Sequence, residues 1–112
     1  FDEQDRLWFA EFYGNKVAMF DSRTHEFKEW PTPTPYTSPY DAVIDRGGYI
    51  WTGGMSNDHV VRVNSKTGET FDYLLPRTTN IRRVDVDNST SPPTLWIGNN
   101  HGAAIVKVEP QD

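Results

Sequence analysis

The dipeptide Leu7-Trp8 recurs twice along this 112-residue chain, as Ile50-Trp51 and Leu95-Trp96. The three tryptophans are separated by 43 and 45 positions. A period of roughly 40–45 residues is typical of the blade of a β-propeller, a unit that buries its two faces only by stacking on its neighbours. The repeat therefore predicts an all-β propeller fold.

The number of repeats is too small for a closed ring. The chain holds about two and a half repeats, whereas propellers typically close with about four to eight blades. We expect either a missing upstream portion or self-association to complete the ring, because an open array would leave two blade faces exposed. The predicted units are a first partial blade, a second complete blade and a third partial blade, at 1–39, 40–80 and 81–112.

Strands follow each tryptophan in the same order. An apolar strand begins eight residues after each one, at 16–20, 59–63 and 104–108, and outer strands are predicted at 26–30 and 69–73. Inner strands are predicted at 40–45 and 82–87, so the first blade lacks an inner strand and the third lacks an outer one. The regular spacing predicts that all three tryptophans lie in the core between blades.

Composition excludes several classes of partner. The net charge is −5, from 11 Lys and Arg against 16 Asp and Glu, whereas nucleic acids and anionic membranes require a basic patch. No apolar run approaches the roughly 20 residues of a membrane span. The chain has no cysteine, which excludes disulfides and thiol chemistry. We expect no nucleic acid and no membrane partner.

The first repeat resembles one repeat of the virginiamycin B lyase, or streptogramin lyase, family. The resemblance continues more weakly through the other two copies, and residues 95–112 resemble the terminus of secreted bacterial propellers of this type. It implies a periplasmic or secreted location. The matching segments are Leu7-Trp8-Phe9-Ala10-Glu11, Gly14-Asn15-Lys16-Val17, Phe20-Asp21 and Phe27-Lys28-Glu29-Trp30.

The resemblance also implies a place for a functional site. The family's lyases open a cyclic ester by elimination, with a magnesium ion and a histidine base, on the face formed by loops between the second and third strands. They use a Glu-x-His element after the tryptophan strand. In this chain Glu11 matches the glutamate but Tyr13 takes the histidine position, whereas His101 matches the histidine but Asn99 takes the glutamate position. Neither copy holds the pair.

Elimination chemistry assigns roles to two of these residues. His101 would be the base, since imidazole titrates near neutrality. Glu11 would hold the magnesium ion through a carboxylate oxygen. The alternative reading makes His101 a loop residue between glycines and Glu11 a solvated strand-closing carboxylate.

Other residues of the same rim are candidates for binding. Tyr13 would stack on a ligand or hydrogen-bond to it, or else pack at a blade edge. Arg82, which lies near Arg77 and Arg83, would meet an anionic ligand or remain solvated. Asn99 and Asn100 complete the candidate ligand rim.

Three functions remain open at this point. The favoured one is a lyase-like propeller module, a homo-oligomer or part of a larger propeller, that binds a small molecule or peptide on its rim without catalysis. The second is an active magnesium-dependent streptogramin-type carbon–oxygen lyase. The third is a structural or protein-interaction module that assembles through its blade edges.

Overall fold

The computed structural model describes residues 1–111, so Asp112 at the end of the third predicted blade lies outside it. The described residues form ten strands in three antiparallel sheets. Among them no helix is long and apolar enough to cross a membrane. In chain order the strands are β1 Arg6–Glu11, β2 Lys16–Asp21, β3 Phe27–Pro31, β4 Pro39–Ile44, β5 Tyr49–Gly54, β6 His59–Asn64, β7 Thr70–Leu74, β8 Ile81–Asp87, β9 Thr94–Asn99 and β10 Ala104–Val108.

Each sheet is one blade of the predicted propeller segment. The first blade contains β1, β2 and β3, the second contains β4 to β7, and the third contains β8, β9 and β10. Neighbouring strands within a blade are consecutive in the sequence and pair antiparallel. The predicted segment of about two and a half blades is confirmed, including the strand that each end blade lacks.

Two apolar cores hold the three blades together. Alternate side chains of a strand point to opposite faces, so the second blade contributes to both cores. The first core joins the first and second blades, and the second core joins the second and third blades. The buried members of the first are Trp8, Val17, Met19, Ile50, Val61 and Val63, and those of the second are Trp51, Val60, Ile81, Val84, Leu95 and Ile97.

The predicted burial of the tryptophans holds for two of the three. Trp8 and Trp51 are 6% and 2% exposed, and each stacks on an aromatic side chain of its own outer strand. Trp96 is 43% exposed, so its predicted place in an inter-blade core is wrong for this chain. It lies on the face of the third blade that points away from the second, where no further blade of this chain covers it.

Aspartates at the inner turns fix the two buried tryptophans. The indole N–H of Trp8 donates to Asp2 Oδ2 at 2.9 Å, and that of Trp51 donates to Asp45 Oδ2 at 2.8 Å. Asp45 Oδ1 also accepts backbone N–H groups of its own turn. Asp87 occupies the corresponding place in the third blade, but within residues 1–111 it accepts from Ser89 alone. The indole–carboxylate hydrogen bond is therefore present in the two blades whose tryptophan is buried.

The outer faces of the two end blades are partly apolar and uncovered. Leu7 and Phe27 are exposed on the first blade, and Trp96 and Ile105 are exposed on the third. These residues occupy the alternation positions opposite to those that form the two cores. The fold thus presents two sheet faces of the kind that neighbouring blades cover in a closed ring.

Candidate functional site

All six residues singled out from the sequence lie at one end of the blades. Because the strands alternate in direction, this end collects the loops at 12–15, 55–58 and 100–103 and the connections between blades at 32–38 and 75–80. We call it the loop rim. The six are Glu11, Tyr13, Arg82, Asn99, Asn100 and His101.

Two of them, Tyr13 and Arg82, are joined by a row of rings that runs across the three blades. The ring of Tyr13 meets Phe12 edge-on, with centroids 5.0 Å apart, and Phe12 meets Tyr40 edge-on at 6.2 Å. The guanidinium of Arg82 lies over the Tyr40 ring, 5.9 Å from its centroid. We call these four residues the aromatic–arginine strip. The sequence pointed to its two ends, and the structure adds Phe12 and Tyr40 between them.

Irregular strand pairing presents two members of the strip, Tyr40 and Arg82. The pairing between β4 and β5 shifts register between Pro39 and Ala42, a span that includes Tyr40. The pairing of β8 with β9 shifts between Ile81 and Arg83, a span that contains Arg82. Bulges of this kind re-aim side chains and are frequent beside functional sites. The same irregularity at the start of two inner strands thus brings a tyrosine and an arginine together.

A shallow cavity of about 270 Å³ adjoins the strip on the third blade. Three of the residues chosen from the sequence, Arg82, Asn99 and Asn100, line it together. The rest of its lining is small or apolar apart from Arg83, and consists of Gly98, Ala103, Ala104 and Ile105. Arg82 therefore stands between the aromatic side chains and this cavity.

Asn99 is held by contacts within the chain. Its Oδ1 accepts from the backbone N–H groups of Asn80 and Gly102, each at 3.2 Å, and its Nδ2 donates to the carbonyl of Thr78 at 3.1 Å. It is a buried side chain that ties the loop 100–103 to the connection 75–80. These bonds occupy both the oxygen and the nitrogen of the side-chain amide, so Asn99 supports the loops of the rim.

His101 lies apart from the other candidates. It is exposed at the tip of the loop 100–103 and does not line the cavity. Within residues 1–111 no side chain hydrogen-bonds to its ring, so no side chain of the described residues orients it by a hydrogen bond. The structure does not bring His101 and Glu11 into one hydrogen-bonded cluster.

Glu11 belongs to a carboxyl pair on the outer side of the first blade. Burial and the hydrogen bond with Glu29 raise the pKa of Glu11. The pKa of Glu29 is lowered, first by Lys16, whose Nζ lies 3.0 Å from Glu29 Oε1. Of the two carboxyls, Glu11 is therefore the one that keeps a proton to the higher pH. The alternation of β1 turns Glu11 to the opposite side from Trp8, away from the second blade.

These surroundings do not fit a magnesium site. Magnesium binds ionised carboxylates and water with near-octahedral geometry. The pKa of Glu11 is raised, so its ionised form is disfavoured here, and the Lys16 ammonium is already paired with Glu29. Among the described residues no three His, Asp or Glu side chains are placed to hold a metal ion.

A histidine–aspartate pair on the same rim carries no recognisable sequence motif. His59 Nδ1 lies 2.6 Å from Asp72 Oδ1, and the hydroxyl of Thr34 donates to the other carboxylate oxygen. His59 pairs with Leu74 across β6 and β7, so Asp72 is its diagonal neighbour. The register of the β6–β7 hairpin would have predicted this pair. Through the hydroxyl of Thr34, the pair ties the connection 32–38 to the second blade.

Comparison with known proteins adds the fold family. No protein-family model matches the chain, and no curated protein matches its sequence. Among solved structures, selenomethionine-substituted virginiamycin B lyase from Staphylococcus aureus covers 99% of the chain at 16% identity, with a TM-score of 0.79. The chain shares the β-propeller fold of the virginiamycin B lyases.

Two further lyase structures agree. A catalytically inactive virginiamycin B lyase from Staphylococcus aureus with quinupristin covers 97% of the chain at 21% identity, with a TM-score of 0.76. A streptogramin B lyase covers 98% at 21% identity, with a TM-score of 0.78. The chain corresponds to only 39% or 40% of each lyase chain. The resemblance read from the sequence is thus confirmed for the fold.

Proposed function

We propose that this chain is a ligand-binding module of a lyase-like propeller, and that its aromatic–arginine strip binds a small molecule or peptide on the loop rim. The observation that carries the proposal is the strip itself. Its four residues come from three blades, yet they form one continuous row of flat and cationic groups. Stacking on aromatic rings and contact with arginine are common modes of ligand recognition.

Catalysis is the weaker alternative. The fold likeness to a lyase structure that contains quinupristin favours it. The raised pKa of Glu11, its place on the outer face of the first blade, and the isolated position of His101 oppose it. Binding needs only the strip, whereas magnesium-assisted elimination needs a metal-binding set that this chain does not assemble among residues 1–111.

The proposal includes a partner that covers the end blades. Leu7 and Phe27 on one side and Trp96 and Ile105 on the other are apolar positions that neighbouring blades would bury. This chain corresponds to about two fifths of each lyase chain that shares the fold. Those lyases are therefore long enough to include further blades. We therefore propose that further blades or a second copy complete the ring. Light scattering on the purified chain distinguishes the second copy from a monomer.

The binding proposal is tested by nuclear magnetic resonance with quinupristin and a library of small aromatic compounds as probes. We expect binders to shift the resonances of the loops 12–15 and 100–103, and the Tyr40→Ala variant to lose these shifts. Tyr36→Ala is the matched control, because Tyr36 is 85% exposed on the same rim but makes no ring contact with the strip. Shifts that persist in Tyr40→Ala, or that fall on the opposite end of the blades, would refute the proposal.

A further inference from the structure

The charge of Arg82 stands out on the loop rim. Its neighbour Arg83 is paired with Asp41, with 3.6 Å between guanidinium nitrogen and carboxylate oxygen. Arg82 has no such carboxylate partner in the part of the chain that the structure describes, and its one ring contact is with Tyr40. In a chain of net charge −5, this guanidinium is a cation left available at one end of the strip.

The setting of Arg82 suits a planar anion. An arginine that lies over a ring keeps the edge of its guanidinium free, and this edge donates two parallel hydrogen bonds to a carboxylate. The register shift between Ile81 and Arg83 fixes where the side chain leaves the strand. Less side-chain freedom is then lost on binding, because the guanidinium is already placed.

Apolar groups lie on both sides of Arg82. The cavity on the third blade offers Ala103 and Ala104 beside the polar Asn100, and the other side offers the rings of Tyr40 and Phe12. A ligand whose carboxylate meets Arg82 would therefore place an apolar or aromatic body beside it.

We infer that the loop rim takes an organic carboxylate with an aromatic or aliphatic body, bound through Arg82. Two sources share this chemistry, a small carboxylic acid and the free carboxyl terminus of a peptide. The inference rests on the proposed ligand-binding function of the strip and names its ligand class.

The test compares two probes that differ in charge but hardly in shape. N-acetyltryptophan carries a carboxylate, and N-acetyltryptophanamide replaces it with a neutral amide. We expect the acid to bind at least about tenfold more tightly in calorimetry or chemical-shift titration, since hydrogen bonds to a charged group are stronger than those to a neutral amide. A short peptide that ends in tryptophan, as acid and as amide, then distinguishes the two sources by whether added residues tighten binding.

Two variants assign the effect to one guanidinium. Arg82→Gln should bind acid and amide equally, whereas Arg77→Gln, whose arginine lies in the connection 75–80 and does not line the cavity, should keep the preference for the acid. Equal binding of acid and amide to the unmodified chain, with shifts that vanish in Tyr40→Ala, would overturn the carboxylate inference and leave the binding function standing. Failure of both acids to bind at millimolar concentration would also overturn it, while the library test decides the binding function separately.

Discussion

The bond between Asp45 and Trp51 offers a sharp test of how the blades are held. Asp45 is 5% exposed, and its carboxylate accepts three hydrogen bonds. Oδ1 accepts the backbone N–H of Gly47 at 2.7 Å and that of Tyr49 at 3.1 Å, and Oδ2 accepts the indole N–H of Trp51 at 2.8 Å. Substitution Asp45→Ala removes all three acceptors together.

The expected cost follows from what water can replace. The two backbone donors lie in a turn that water reaches, so much of their loss is recovered. Trp51 is 2% exposed, so its indole N–H stays buried without a partner, at a cost of about 1–3 kcal/mol. Each hydrogen bond lost from the charged carboxylate contributes about 1.5–3 kcal/mol before water replaces it. With the buried indole N–H included, we expect Asp45→Ala to lower the free energy of unfolding by about 3 kcal/mol.

Urea unfolding followed by tryptophan fluorescence measures this cost. Asp87→Ala is the matched control, because Asp87 has the same place in the third blade but accepts from Ser89 only, in an exposed turn. Its effect should be much smaller. A loss of less than about 1 kcal/mol in Asp45→Ala, or an equal loss in the two variants, would show that the indole bond does not hold the second blade.

Three further outcomes are expected. Gly53→Ala should destabilise the chain by about 1–3 kcal/mol, because a Cβ there meets the third blade at 2.1 Å, whereas Gly98→Ala, whose Cβ meets only a carbonyl at 3.9 Å, should be nearly neutral in thermal unfolding. Glu11 contributes stability in its protonated form, and this is lost as the pH rises through its raised folded-state pKa. Glu11→Gln should therefore be more stable than the unmodified chain at pH 7. In a pH series of urea unfolding, this difference in stability should vanish on acidification. A difference that grew on acidification would contradict the raised pKa of Glu11 beside Glu29. Asn99→Ala should speed amide exchange in the loop 100–103 relative to the loop 12–15, and unchanged exchange would contradict its role as a tie.

The fold could be predicted from the sequence because its signals are local and periodic. The spacing of Trp8 and Trp51 fixes the repeat, and apolar residues on both strand faces indicate sheets that lie between neighbours. The error at Trp96 has a physical cause: the period identifies a strand position, but burial depends on whether another blade lies against it. A periodic pattern carries no information about that neighbour.

The candidate site was only half predictable. Tyr13 and Arg82 were chosen by loop position and charge, and they mark the two ends of the strip. Phe12 and Tyr40 escaped because their role depends on how blades pack, and the register shifts that aim Tyr40 and Arg82 leave no composition signal. Aligning the starts of β4 and β8 shows both residues in the second strand position, which is the one clue that the sequence held.

The strip and the inter-blade cores are parts of one arrangement. Arg82 follows directly after Ile81, which is fully buried in the second core. The Ile81 side chain packs against Gly53, where a Cβ atom would clash with it. The distance between Arg82 and Tyr40 is therefore set by how closely the third blade approaches the second. Phe12 reaches Tyr40 across the first interface in the same way, so the contacts of Tyr40 with Phe12 and with Arg82 both span a blade boundary. A ligand that bridges these rings and the guanidinium would bind only to blades in their packed positions, and binding would in turn stabilise that packing by mass action.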